Sequence, residues 1–312
     1  MSLLLNEDFD IFKKVSFTVL CNELSRCFYE GNKKYSKRNY KIDDRMICIF
    51  KFLYKVRVAT IEQINRYLDL NGYIQVSEKF LTILNMKYGV LSYIDCKSDK
   101  KTTRVYVPAV GMIYILDKYT SLEVNENTDE YVFQQNINNN FIKCSQDDIL
   151  KKVILAELYL NISQNSVNKI VYLENRVNVN QYINDEFYKE EIKFKSDILV
   201  SFEVEGDVKT YFIKYIDKKY DIRKFIETVE MFDKFIKYDE LIDRYCVLSN
   251  KKPKFVFVSE TYEIMQNLFN TIRNYDIDFN NICLSCLDIV FSIKNSAIFK
   301  EKDVFIGIAS YV

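Results

Sequence analysis

Apolar and polar positions between residues 42 and 119 alternate first with a helical and then with a strand period. Met46, Ile49, Phe50 and Leu53 share one face of a helix over residues 43–54. Thr60 and Gln63 have capping-box spacing, so a second helix starts there and buries Ile61, Ile64 and Leu68. After the Asn71-Gly72 turn a third helix starts near Ser77, burying Phe80, Leu81 and Leu84 and turning Glu78, Lys79, Thr82, Asn85 and Lys87 outward. Strands follow over residues 90–96 and 103–107, joined by the polar loop Lys97-Ser98-Asp99-Lys100-Lys101, and a closing helix runs towards Tyr119.

Three short helices, a lysine-tipped hairpin and a closing helix in that order predict a winged-helix domain over residues 31–120. Most such domains bind double-stranded DNA. The outward residues Lys79, Thr82, Asn85 and Lys87 are then the candidate base readers. Lys97, Lys100, Lys101 and Arg104 on the hairpin are the candidate phosphate contacts, because their charge can displace condensed counterions.

Beyond a polar stretch over residues 121–144, read as a linker, the pattern changes. Ser145 and Asp148 can cap a helix whose stripe is Leu150, Val153, Ile154 and Leu158. Strands are expected over residues 169–174, 196–204 and 210–217, the last two joined by Glu205-Gly206-Asp207. A helix over residues 221–238 buries Ile222, Phe225, Ile226, Val229, Phe232, Phe235 and Ile236. A continuously apolar, central strand over residues 254–259 and a helix over residues 261–273 complete an α/β (α+β) domain with a mixed sheet, taken as residues 145–312. The first 30 residues predict an amphipathic helix (Phe12, Val15, Val19, Leu20, Leu24), either packed on its own domain or used for dimerisation.

Composition narrows the chemistry. The 312 residues contain no histidine and six glycines, with neither GxxxxGK[ST] nor GxGxxG, which excludes Ser-His-Asp, Cys-His and histidine-metal catalysis and the glycine-rich phosphate loops. Of eight cysteines only Cys283 and Cys286 form a CxxC, too few ligands for zinc, so buried thiols of a reduced compartment are expected. The net charge is zero but unevenly spread: residues 31–104 hold 16 Lys or Arg against 7 Asp or Glu, whereas residues 105–312 hold 25 against 32. A basic segment joined to an acidic one fits an electrostatic footprint confined to the first domain. With no basic N-terminal region and no apolar run of transmembrane length, a cytoplasmic protein without membrane contact is expected.

The chain resembles the replication-relaxation family of plasmids and other mobile elements, in which a winged helix precedes a PD-(D/E)XK nuclease-like domain. The likeness rests on Val105-Tyr106-Val107-Pro108-Ala109-Val110-Gly111 after the wing, Leu158-Tyr159-Leu160 at a helix end, Leu173-Glu174 in the next strand and Lys195-Ser196-Asp197-Ile198 in place of the Pro-Asp turn. The helix from Asp221 and the strand Phe255-Val256-Phe257-Val258 add to it. A working nuclease site of this kind requires several carboxylates around Mg²⁺. Glu174 and Asp197 match two positions, but Lys214 stands where the family tends to place its acidic residue and Asp217 lies one step beyond the next. The resemblance therefore implies a degenerate, non-catalytic site without metal or cofactor, and a domain retained for protein contacts. The expected function is double-stranded DNA binding in plasmid replication (initiation or control) or transfer, as a homodimer or with replication or transfer proteins. Two alternatives stand beside it: a Mg²⁺-dependent endonuclease using Glu174, Asp197 and a displaced third carboxylate such as Asp217 or Glu203, and a winged-helix protein-assembly factor.

Overall fold

The computed structural model describes residues 42–88, 90–97, 102–109, 112, 115–116, 146–165, 169–184, 189–204, 206–246, 251–273, 280–287 and 306–307. The N-terminal helix, the 121–144 linker and the hairpin loop 98–101 expected from the sequence lie outside these residues. The architecture is mixed α/β, with seven α-helices among the described residues. They form two units, one ending at Leu160 and the other starting at Asn161.

In the first unit, helix α1 (Asp44–Val56) starts where the Asp43 carboxylate accepts the Met46 N–H at 2.8 Å, and strand β1 (Ala59–Thr60) follows. Helix α2 (Ile61–Leu70) has the full capping box: Gln63 N–H donates to Thr60 Oγ1 while Gln63 Oε1 accepts the Thr60 N–H. Gly72 turns the chain at φ 74°, a conformation that costs a glycine nothing. Helix α3 (Glu78–Ile83) then runs into a π turn (Leu84–Tyr88), followed by β2 (Leu91–Lys97) and β3 (Thr102–Pro108). The sheet is antiparallel in the order β1-β3-β2, with Asp95 opposite Arg104 and Ala59 opposite Tyr106. Phe50, Phe52, Leu53, Ile64, Leu68, Leu81, Val105, Tyr106 and Val107 are buried; Phe80, expected in the core, is half-buried.

Helix α4 (Gln146–Asn165) follows the boundary expected at residue 145. Its residues up to Leu160 belong to the first unit. There Gln63 Nε2 donates to Val153 O and Glu157 Oε2, both at 3.1 Å, Arg66 pairs with Glu157, and Tyr159 packs on the stacked rings of Phe52 and Tyr67. The helix is apolar on most sides, burying Ile149, Val153, Ile154, Ala156, Leu158 and Tyr159, so its sequence stripe does not reveal which domain it serves.

The second unit is built on a sheet of order β4-β5-β6-β7-β8-β9: β4 (Lys169–Asn184), β5 (Lys189–Val204), β6 (Asp207–Ile216), β7 (Lys254–Ser259), β8 (Ile282–Cys286) and β9 (Ile306–Gly307). The first three strands form an antiparallel meander, β7 is parallel to β6 and to β8, and β9 is antiparallel to β8. Helices α5 (Ile222–Phe235) and α6 (Asp239–Tyr245) connect β6 to β7, and α7 (Tyr262–Ile272) connects β7 to β8. Phe194, Phe212, Phe232, Phe235 and Phe255 pack edge-to-face and stacked at centroid distances from 5.1 to 6.2 Å, joining α5 to the sheet.

Several features differ from the sequence reading. The β4/β5 hairpin runs 16 residues per strand, although residues 175–195 suggested no strand. Val177, Val179, Ile192 and Phe194 alternate inward with Arg176, Asn178, Asn180, Glu191, Lys193 and Lys195 outward; asparagine's poor strand preference masked that alternation. Helix α6 and strand β8 were not expected. Ile222, assigned to the apolar face of α5, is exposed because it is the first residue after the Asp221 cap, ahead of the turn that meets the sheet. No helix among the described residues is long and apolar enough to cross a membrane.

Candidate nucleic-acid interface

The start of α3 is fixed from two sides. Ser77 Oγ accepts the Phe80 N–H at 3.3 Å as its cap. Asn65 on α2 grips the backbone of Val76, donating Nδ2–H to its carbonyl at 3.1 Å and accepting its N–H on Oδ1 at 2.8 Å. Asn65 escaped the sequence reading because it lies 11 residues from its partner and in no motif. Arg45 lies 4.6 Å from the centroid of the Phe80 ring, bracing the flank of α3.

So positioned, α3 turns Glu78 and Lys79 to solvent and leaves Thr82 half-buried. Ile83 and Met86 share this outward side and are exposed, which the sequence reading did not pick out. Asn85, expected among the base readers, is buried at 9% exposure. Its Nδ2 donates to Leu91 O at 2.8 Å. Strand β2 is the edge of its sheet, and Val90 O is taken by the Ala109 N–H, so the next carbonyl faces the open edge and requires a side-chain donor. The backbone of Lys87 lies in the π turn and that of Lys97 ends β2; their side chains, and Lys100 and Lys101 entirely, lie outside the described residues.

Arg104 is engaged elsewhere than expected. It forms a bidentate pair with Asp95 across the hairpin, Nε to Oδ1 at 2.5 Å and Nη2 to Oδ2 at 2.9 Å, with its guanidinium 4.0 Å from the centroid of the Tyr93 ring. The Asp95 hydrogen bonds hold its pKa well above the usual arginine range. Arg104 thus braces the strands that carry the loop.

The acidic positions of the second unit are each engaged by groups of the protein. Glu174 is exposed on β4, opposite Leu199, and accepts the Tyr172 hydroxyl. Asp197 Oδ2 accepts the Tyr215 N–H at 2.9 Å. Lys214 Nζ donates to Thr228 Oγ1 at 3.4 Å and lies 5.7 Å from the Tyr220 ring centroid. Burial raises the pKa of that tyrosine, and the charges of Asp197, Asp221 and Glu227 add to the effect. Asp217 closes a turn by accepting the Lys219 N–H at 2.8 Å. Glu203, six residues along β5 from Asp197 and so about 20 Å away, pairs with Lys169 at 2.9 Å. Among the described residues no three acidic, thiol or imidazole groups stand close enough to share a metal ion. Cys283 and Cys286 are buried in β8, but three residues apart on a strand they point to opposite faces, and only Cys286 joins the core beneath α5 and α7.

No known family model matches this chain, and no curated protein is significantly similar to it.

Proposed function

We propose that this protein binds double-stranded DNA through its first unit, a winged helix, and serves the replication, replication control or transfer of a plasmid or related element. The observation that carries this reading is the order α1-β1-α2-α3-β2-β3 with a β1-β3-β2 sheet, in which α3 offers Lys79 and Thr82 on its outward side; the sequence joining β2 to β3 adds Lys97, Lys100 and Lys101. Lys79, Thr82, Lys87, Lys97, Lys100 and Lys101 make up the proposed contact set; Asn85 and Arg104 are structural. The three-stranded meander, the helix that follows it and the parallel strand of the second unit support a PD-(D/E)XK-like domain. The engagement of Glu174, Asp197, Asp217 and Glu203 by Tyr172, the Tyr215 N–H, the Lys219 N–H and Lys169 supports a non-catalytic role in protein contact, with another copy of the chain or with replication or transfer proteins.

The test is retention of duplex DNA by the full chain across a salt series, with Mg²⁺ present and strand integrity followed in the same samples. Salt-sensitive retention of intact, preferred sequences is expected, since each lysine on a phosphate releases counterion. Cleavage would replace this reading with a nuclease. The exposed Leu70, Ile74, Ile83 and Met86 favour one second reading, a winged helix that docks protein, and absence of retention at low salt would select it.

A further inference from the structure

Lys79, Thr82, Ile83 and Met86 lie at three- and four-residue spacings along α3 and its π turn, and so share one side. Two of the four are apolar, with Ile83 at 40% and Met86 at 66% of full exposure. The segment from Glu78 to Tyr88 contains no arginine for bidentate contact with guanine and no glutamine, and its one asparagine, Asn85, is turned inward onto Leu91. Paired amide contact with adenine is thereby removed from this helix. The four residues that share this side are one cation, one hydroxyl-bearing methyl group and two apolar side chains.

In the major groove the only apolar group among the base edges is the C5 methyl of thymine. Resting on the reading of the first unit as a DNA-binding winged helix, we infer that Ile83 and Met86 are specificity-determining residues that read thymine methyl groups, so that the α3 half-site is A·T-rich. Lys79 on the same face supplies the charge complementarity that holds the helix against the phosphates, in a segment where basic residues outnumber acidic ones by 16 to 7. Thr82 adds a further methyl, and its hydroxyl accepts or donates to either base of a pair.

Replacing thymidine by deoxyuridine deletes the methyl group and leaves every Watson–Crick and groove hydrogen-bonding group in place. A random duplex pool is enriched on the full chain, and the enriched duplexes are resynthesised with deoxyuridine. Binding is expected to weaken by about fourfold for each contacted thymine, and the difference between the two duplexes is expected to vanish in the Ile83→Ala/Met86→Ala chain. Both side chains are exposed, so the double variant should retain the circular dichroism of the parent. Equal binding of both duplexes by the parent chain would overturn the inference and leave DNA binding intact. Failure to retain any duplex at low salt would overturn both readings; self-association lost in the double variant would then assign the face to a protein.

Discussion

The side chain of Asp197 accepts the backbone N–H of Tyr215 at 2.9 Å, doing for β6 what a neighbouring strand would otherwise do. The β5/β6 ladder is paired as far as Ile198 opposite Ile213, and the carboxylate takes the next outward amide. A position that the family resemblance implies for a metal ligand is thus used to close a sheet.

Asp197→Ala should destabilise the second unit by about 1–3 kcal/mol, the cost of leaving a buried amide without an acceptor, whereas Asp197→Asn keeps an oxygen there and should cost less. Urea denaturation measures both. Equal losses in the two variants would mean that charge, rather than this acceptor, is what the sheet uses.

Asn65→Ala removes both partners of the Val76 backbone. The expected loss is about 2 kcal/mol, with faster amide exchange at Val76 and at the start of α3. DNA affinity should fall although Asn65 touches no DNA in the proposed pose. Unaltered exchange at Val76 would remove Asn65 from the positioning of α3.

Lys79→Ala should weaken DNA binding about equally across sequences and lower the slope of log K against log salt by about one. Arg104→Ala should leave that slope unchanged, because its guanidinium is held by Asp95, while lowering the thermal midpoint of the first unit. A salt slope reduced by Arg104→Ala would return this residue to the phosphate-contact set.

Burial pushes the Cys246 thiol from an ordinary value near 9 up to about 12, the nearby Asp243 adding to the effect. Because the folded-state value is the higher, this contribution to stability is complete below about pH 9 and is lost as the pH rises towards 12. Stability curves of the parent and Cys246→Ala chains should therefore converge over that alkaline window. Parallel curves through the window would show that the thiol is not held neutral by folding.

Much of the chain was legible from its own pattern. The Thr60 cap starts its helix as its spacing with Gln63 implies, because an N-cap is a contact within one turn of helix, and the helices expected from about residues 43, 77, 221 and 261 begin there behind Asp43, Ser77, Asp221 and Thr261. The interior strand Lys254–Ser259 was recognisable for a similar reason: burial on both faces leaves a continuous apolar run.

Local pattern determined where most helices begin, which faces are apolar, and that lysines crowd the segment up to residue 104. Only the tertiary structure decided that Asn85 turns in to an edge carbonyl, that Arg104 belongs to Asp95, that Asn65 holds Val76, and that the first fifteen residues of α4 pack with the first unit. It also extended the Asn-rich hairpin, whose strands each look weak alone and gain their alternation from facing one another and the phenylalanine cluster. The physical reason is common to all of these. Propensity and capping act over one to four residues, whereas a hydrogen-bonding side chain or a polar strand has its role set by whichever backbone group or apolar face folding brings against it.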